Sequence, residues 1–352
     1  MANHDIVVIG ASTGGVDVLT SVMAGLPPGL PASLFVVCHF PSGGRSVLPD
    51  ILSRAGPLLA THAVDGEPFH PGHVYVAPPD HHLLLQAGGR MQLSRGPREN
   101  NHRPAVDPLF RSAASAYGSR VIAVVLSGGL GDGTAGLLAV RAAGGVAVVQ
   151  DPADAVMASM PSNAVSIAGA DHVVPAAGLA PLLVELIQQP LSAPGESSMT
   201  DPIETMPAIV NADMDEQVRN TRRGQVSVFS CPECGGALWQ VDERPLVRFR
   251  CHVGHAYNGE VLFAEQASAL EAALWTAVRT FKERNLLARQ LAARERERGD
   301  TKSAARFDEQ AALALRYGEL IQQYVLNEPP ASRGASSPPL PSAAAPPESP
   351  AD

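Results

Sequence analysis

The sequence predicts an α/β fold: a doubly wound, mainly parallel, Rossmann-like sheet with helices on both faces. From residue 5 to about residue 189, short β-rich apolar runs alternate with helix-like segments, and this alternation favours a parallel sheet. Apolar residues make up 45% of the chain and aromatic residues only 5%, a mixture that suits strands buried on both faces. The predicted strands cover residues 6–9, 33–38, 73–77, 83–86, 91–94, 121–126, 145–150 and 172–174, and the predicted helices 16–24, 108–117 and 134–143. The stretch 73–95 is predicted to be an antiparallel excursion from the sheet.

Composition divides the chain into five parts. Residues 1–189 form the predicted α/β domain, and residues 190–226, rich in proline, serine and acidic residues, predict a flexible linker. Residues 227–258 hold three of the four cysteines and predict a small zinc-ribbon-like unit. Residues 259–326 carry two amphipathic patterns separated by Gly299-Asp300, which predict a helical hairpin with the capacity to self-associate. Residues 327–352 are mostly proline, alanine and serine and predict a disordered tail.

Charge and hydropathy exclude several classes of function. The net charge of -9 argues against a protein built to neutralise nucleic-acid phosphates. The arginines between residues 289 and 298 alternate with glutamates, as on a solvated helix face, so we expect no nucleic-acid partner. No apolar run approaches the ~20 residues that cross a bilayer, and the N-terminus lacks a signal-peptide pattern. We therefore expect a cytoplasmic protein without membrane insertion and with reduced thiols.

A glycine-rich turn after the first predicted strand presents a serine. The segment Gly10-Ala11-Ser12-Thr13-Gly14-Gly15 links that strand to a helix, and a serine on such a sharp turn can act as a nucleophile. The alternative is a phosphate- or dinucleotide-binding turn. The dinucleotide pattern has glycine where Ser12 stands, and the Lys-Ser/Thr pair of a phosphate loop is missing, so both alternatives are weakened.

A histidine and an aspartate follow two other predicted strands. His39 comes after residues 33–38, and Asp132 lies in a glycine-rich loop after residues 121–126. Each alone fits a structural histidine or a capping aspartate. However, the carboxyl ends of parallel strands meet at one edge, where ligand crevices form. We therefore predict that Ser12 is a nucleophile, His39 its base and Asp132 the residue that orients the imidazole. The chain order differs from that of α/β-hydrolases, but a triad is defined by geometry.

Residues 1–189 resemble the catalytic domain of the chemotaxis protein-glutamate methylesterases. The matching stretches are residues 8–15, 37–41, 71–78, 103–110 and 126–133. The resemblance places the family's catalytic residues on Ser12, His39 and Asp132, and its oxyanion donors on the backbone N–H groups of Thr13 and Gly129. The family often has methionine at the position of Gly129. No cofactor is implied for catalysis, because a triad suffices for this acyl transfer.

The resemblance also implies the substrate and the reaction. A glutamate methyl ester on a receptor's cytoplasmic helix, or on another protein, would be hydrolysed through an acyl-enzyme with release of methanol, and some members also deamidate glutamine. Typical members carry an N-terminal receiver domain. This sequence begins at the esterase strand, so we expect any control to come from a partner or from the C-terminal region. Two alternatives stay open: a catalytically degenerate signalling scaffold, and an esterase that acts on a small molecule.

Other polar residues fall on loops that the family places around its cleft. They are His81, His82, His102, Arg45 and Arg103. A histidine in such a loop more often has a surface or capping role than a contact with substrate. An arginine there is more often simply solvated.

The cysteine-rich segment has the spacing of a zinc ribbon. Cys231-Pro-Glu-Cys234 is followed after sixteen residues by Cys251-His252-Val-Gly-His255. We predict a structural Zn²⁺ with the ligands Cys231, Cys234, Cys251 and His255. His252 is the less suitable ligand because it adjoins Cys251 directly. Predicted strands at 237–241 and 246–250 would carry the two turns; the alternative is a set of free thiols.

Overall fold

The computed structural model describes residues 3–39, 46–191, 224–243 and 245–327, without the side chains of residues 242 and 243. Most of the predicted linker 190–226, all but the first residue of the tail 327–352, and Arg45 lie outside the described residues.

The larger unit is built on a parallel sheet with a small antiparallel hairpin beside it. Its strands are β1 (Ile6–Ala11), β2 (Ser33–Cys38), β3 (Leu59–His62), β4 (His73–Val76), β5 (His82–Gln86), β6 (Arg90–Ser94), β7 (Val121–Val125), β8 (Val146–Gln150) and β9 (His172–Val174). Seven of them form the main sheet in the order β3-β4-β2-β1-β7-β8-β9, and every neighbouring pair is parallel. This confirms the predicted fold class.

Two details of the strand prediction were wrong. β4 does not belong to an antiparallel excursion, because it lies between β2 and β3 in the parallel sheet with Val74, Tyr75 and Val76 buried. Only β5 and β6 form the antiparallel hairpin. β3, a four-residue edge strand whose first residue, Leu59, is exposed, was not among the predicted strands.

Helices cover both faces of the sheet. They are α1 (Gly15–Gly25), α2 (Leu48–Ala55), α3 (Val106–Tyr117), α4 (Thr134–Ala142), α5 (Ser159–Asn163) and α6 (Ala176–Gln188). One apolar core lies between the sheet and α1, α2 and α6, and the other between the sheet and α3 and α4. Alternate residues of β1 enter the two cores, since Val7 and Ile9 belong to the first and Ile6 and Val8 to the second. The centre of the sheet is therefore buried on both faces.

The smaller unit is an antiparallel sheet followed by two long helices. Its strands are β10 (Gln225–Ser230), β11 (Ala237–Glu243), β12 (Leu246–Cys251) and β13 (Ala256–Asn258), two more than predicted, and the helices are α7 (Gly259–Glu297) and α8 (Thr301–Asn327). α7 and α8 form a hairpin in which Asn285 Nδ2 donates to the Ala311 carbonyl at 2.7 Å. Leu130, from the larger unit, packs on the apolar core of the smaller sheet. Among the described residues no helix is both long and apolar enough to span a bilayer.

Candidate active site

The sheet register places Ser12 beside His39. Ala11 is the partner of Cys38 in the β1–β2 ladder, and the His39 N–H donates to the Ala11 carbonyl at 3.1 Å. The chain then turns sharply through Gly14, which has a φ of 79°. A Cβ atom at Gly14 would lie 2.6 Å from the Cβ of Val156, so this turn requires glycine. Two adjacent central strands thus deliver a serine and a histidine to the same edge.

His39 is hydrogen-bonded to Asp132, which lies in the loop after β7, on the other side of β1 from β2. His39 Nε2 lies 2.9 Å from Asp132 Oδ2, and the two side chains are only 4% and 2% exposed. His39 Nδ1 is buried and has no hydrogen-bond partner among the described residues. Among the described residues no hydrogen bond joins the imidazole to the Ser12 hydroxyl, and Nδ1 is the nitrogen left to receive a proton.

The Asp132 carboxylate accepts several further hydrogen bonds. The first N–H groups of α3 supply two of them, because a helix N-terminus has unsatisfied donors. Burial by itself opposes ionisation, but the hydrogen bond and charge of His39 help to outweigh it and hold the pKa of Asp132 well below its usual range. The donors are Val106 N at 2.6 Å, Asp107 N at 3.2 Å, Gly133 N at 3.0 Å and Asn100 Nδ2 at 2.9 Å.

A second buried carboxyl group, Asp107, lies next to Asp132. It accepts from Gly136 N at 2.6 Å and from Asn100 Nδ2 at 2.9 Å. Burial, followed by the charge of Asp132, raises the pKa of Asp107 to about 6. The amide of Asn100 therefore bridges the two carboxyl groups through its Nδ2.

The two predicted oxyanion donors border this edge. Among the described residues, none accepts a hydrogen bond from the backbone N–H of Thr13 or of Gly129. A Cβ atom at Gly129 would meet nothing within 4 Å, so this glycine faces open space. Ser127 joins the two loops, because its hydroxyl donates to the Thr13 carbonyl at 2.8 Å and accepts from Met157 N at 2.9 Å.

His102 contacts the site more closely than the sequence analysis indicated. Its ring stacks on His39 with the centroids 3.6 Å apart and the planes 10° from parallel. Burial, followed by the positive charge of His39, lowers the pKa of His102 to about 3. The stack brings together residues far apart in the chain, so no local pattern signalled it.

The other polar loop residues form hydrogen bonds away from Ser12, His39 and Asp132. His82 bonds the Pro97 carbonyl at 3.0 Å and the Ala105 N–H at 3.2 Å, and it is buried. His81 bonds the Pro79 carbonyl at 2.9 Å. Arg103 donates to Asp80 through two nitrogens, at 2.7 and 2.9 Å. These contacts support loop structure.

The four predicted ligand atoms of the smaller sheet lie within 4.8 Å of one another. Cys234 Sγ is 3.6 Å from Cys251 Sγ, and His255 Nδ1 is 3.5 Å from Cys251 Sγ and 3.7 Å from Cys231 Sγ. Zn–S bonds of about 2.3 Å and Zn–N bonds of about 2.0 Å in a tetrahedron separate ligands by roughly these distances. His252 is exposed and lies near Trp239 instead. The donor set and its spacing fit zinc.

A serine at a strand-to-helix turn, beside a buried histidine–aspartate pair at the carboxyl edge of a parallel sheet, is the arrangement of a serine hydrolase. The comparison with known families agrees: the CheB methylesterase family model matches residues 7–183. The chain belongs to that family.

Known relatives match about half of the chain. A protein-glutamate methylesterase/protein-glutamine glutaminase of Burkholderia lata is 41% identical over 180 residues, which are 50% of this chain and 49% of that protein. A protein-glutamate methylesterase/protein-glutamine glutaminase of Pseudomonas aeruginosa is 38% identical over 188 residues, which are 53% of this chain and 54% of that protein. The chain therefore spans about half the length of these curated relatives. The crystal structure of the Thermotoga maritima CheB methylesterase catalytic domain is similar with a TM-score of 0.51 and 39% identity, over 53% of this chain and all of that one.

Proposed function

We propose that this chain hydrolyses glutamate methyl esters in proteins, with Ser12 as nucleophile, His39 as base and Asp132 as the residue that orients His39. The observation that carries the proposal is the buried His39–Asp132 pair, with a free Nδ1 beside the serine turn. An ionised Asp132 favours one tautomer of His39 and stabilises the imidazolium that forms when the serine proton is taken.

The reaction follows from these positions. Ser12 Oγ bonds to the ester carbonyl carbon while His39 Nδ1 takes its proton, and the backbone N–H groups of Thr13 and Gly129 stabilise the oxyanion. The C–OCH₃ bond then breaks, and His39 returns the proton so that methanol leaves. Water, deprotonated by His39, attacks the acyl-enzyme; its collapse releases the glutamate carboxylate and restores Ser12. A glutamine amide would react in the same way with ammonia as the leaving group.

The substrate is proposed from the relatives. Relatives that are similar over about half of this chain are named protein-glutamate methylesterase/protein-glutamine glutaminase. We therefore propose a protein substrate, with the methylated cytoplasmic helices of a chemotaxis receptor as the first candidate, and a cytoplasmic location for the reaction. The intact set of Ser12, His39 and Asp132 favours an enzyme over a signalling scaffold.

We also propose that Cys231, Cys234, Cys251 and His255 hold a structural Zn²⁺. The ligand spacing supports it, as does the Glu233 carboxylate, whose Oε2 lies 3.3 Å from His255 Nε2 and would orient Nδ1 toward the metal. A closed four-ligand site supplies folding energy rather than chemistry.

Methanol release from a methylated receptor fragment tests reaction and substrate together. Ser12→Ala is expected to lower the rate by roughly 10⁴-fold or more without loss of fold, because the residual catalysis lacks a nucleophile. The matched control is Ser166→Ala, an exposed serine outside the site, which should retain the wild-type rate. Equal turnover by wild type and Ser12→Ala would exclude the serine mechanism. Activity on p-nitrophenyl acetate without methanol release would favour a small-molecule esterase.

A further inference from the structure

One buried side chain connects the smaller sheet to the candidate active site. Asn100 is 2% exposed, and its Nδ2 donates to Asp132 Oδ1 and to Asp107 Oδ2, each at 2.9 Å. Its Oδ1 accepts from the backbone N–H of Asn258, at the end of β13, at 3.1 Å. The Nδ2 atom of Asn100 therefore contacts both carboxyl groups of the site, and its Oδ1 atom contacts the C-terminal unit.

The backbone around Asn100 is bound to the same strand. Asn100 N donates to the Ala256 carbonyl at 2.8 Å, and Ala256 N donates to the Arg98 carbonyl at 3.3 Å. Asn100 has a φ of 49°, a left-handed conformation that asparagine tolerates better than most residues. Glu99 thus forms an isolated parallel bridge with Ala256 of β13, and the two backbone hydrogen bonds of this bridge hold Asn100 beside that strand.

A buried ion pair anchors the contact. Glu99 is 4% exposed and receives Arg111 Nη2 of α3 at 2.7 and 2.8 Å and Arg248 Nη2 of β12 at 3.2 Å. Burial opposes ionisation, but the charges of Arg111 and Arg248 outweigh it and lower the pKa of Glu99 to about 2. One ionised carboxylate therefore joins a helix of the larger unit to a strand of the smaller one. Detaching the smaller sheet would remove two of the three arginines, Arg248 and Arg250, whose charges lower this pKa.

The proposed metal site lies next to the contact between residues 98–100 and β13. Cys251 and His255 close the turn that leads directly into β13, and the Cys251 N–H donates to the His255 carbonyl at 3.0 Å. Glu233, which contacts His255, also lies 3.9 Å from Arg98 Nε. The geometry of β13, and hence of the residues paired with it, depends on this turn.

We propose that Asn100 is a positioning residue of the relay and that β13 of the zinc-ribbon-like sheet holds it in place, so that the C-terminal unit sets the activity of the esterase unit. The inference rests on the proposed function, because it assigns Asn100 the task of fixing the Asp132 carboxylate that orients His39.

Asn100→Gly in the full chain is the direct test, because glycine keeps the left-handed backbone and removes only the amide. The matched control is Asn101→Gly. Asn101 has a φ of 63° and donates to Glu265 of α7 at 2.7 Å, but it contacts neither Asp132 nor Asp107. With methylated receptor fragment, kcat of Asn100→Gly is expected to fall by about tenfold to a hundredfold with KM within twofold, the size of one lost charge-assisted hydrogen bond. Asn101→Gly should stay within about twofold of wild type in both constants.

Three results would overturn the inference: an unchanged kcat in Asn100→Gly, an equal loss in both variants, or a loss confined to KM. None of these results bears on the proposed function. That proposal is tested separately and is wrong if wild type and Ser12→Ala hydrolyse the ester at the same rate.

A second measurement uses the wild-type chain and does not depend on a variant that folds. Amide hydrogen exchange is followed at residues 98–102 before and after zinc removal by a chelator, together with the rate at which a fluorophosphonate labels Ser12. Zinc removal is expected to speed exchange at residues 98–102 and to slow labelling at least tenfold, with exchange in β1 and β7 unchanged. Faster exchange in the smaller sheet alone, with residues 98–102 and labelling unaffected, would contradict the inference.

Discussion

The imidazole rings of His39 and His102 lie flat on one another, 3.6 Å between centroids. His102 comes from the same loop as Asn100, so that loop contacts both the aspartate and the histidine of the proposed relay. The hydrogen bond to Asp132 still allows the His39 ring to rotate about the line of that bond, and the stack on His102 limits this rotation. Because the pKa of His102 is lowered to about 3, this second ring stays neutral beside an imidazolium.

We expect His102→Ala to lower kcat for ester hydrolysis by about twofold to tenfold, the range of one aromatic contact, and to leave KM near its wild-type value. His102→Phe keeps a flat ring and should recover most of the lost rate. His81→Ala is the control, since His81 bonds the Pro79 carbonyl and does not contact His39. Steady-state kinetics on one ester substrate compares all three variants, and a wild-type kcat in His102→Ala would contradict a role for the stack.

His102 also predicts how stability depends on pH. Its folded-state pKa, about 3, lies below the ordinary value of 6.5, so between these values the unfolded chain binds the proton and the native chain does not. The free energy of unfolding should therefore fall as the pH drops from 7 toward 4. Relative to His102→Phe, which cannot titrate there, the wild type should lose about 1–2 kcal/mol between pH 7.5 and pH 5. Urea unfolding at the two pH values measures this, and a pH-independent difference between the proteins would show that His102 titrates normally.

The carboxylate next to the proposed zinc ligand His255 predicts metal affinity. Glu233→Gln removes the charge that lies 3.3 Å from His255 Nε2, and we expect zinc affinity to fall by about tenfold to a hundredfold. Competition with a chromophoric chelator measures the affinity. His252→Ala is the matched control, because His252 is exposed and adjoins the ligand Cys251 without belonging to the cluster. Equal losses in the two variants would assign zinc to a different ligand set.

The fold and three site residues were accessible from sequence because they depend on local pattern. Ser12, His39 and Asp132 each follow a continuous apolar strand, and parallel strands bring such positions to one edge. The Cys/His cluster was accessible because two short Cys/His turns have a characteristic spacing.

What the sequence did not reveal depends on contacts between distant segments. Asn100 bonds Asn258, 158 residues away, and Glu99 bonds Arg248, 149 residues away. Neither residue belongs to a periodic pattern or a motif that signals its partner. The strand β3 was missed for a related reason: it is a short edge strand, so its sequence lacks the continuous apolar run of the buried strands.

Two consecutive glycines after β7 should respond differently to the same substitution. A Cβ atom at Gly128 would lie 2.5 Å from Met160 Sδ and 2.8 Å from the Cβ of Ser12, whereas one at Gly129 would meet nothing within 4 Å. The Met160 side chain is fully buried and Ser12 begins a fixed turn, so Gly128→Ala must displace one of them. We expect it to cost about 1–3 kcal/mol of unfolding free energy and to lower kcat by about a hundredfold, because a nucleophile misplaced by about 1 Å loses that much.

Gly129→Ala is the control at the adjacent position. It adds a methyl group to open space, so the free energy of unfolding should stay within about 0.5 kcal/mol of wild type. Thermal unfolding and hydrolysis rates, measured in parallel, separate the two effects. If Gly128→Ala is as active as the wild type, Ser12 tolerates movement at this contact, and the loop after β7 does not hold the nucleophile in place.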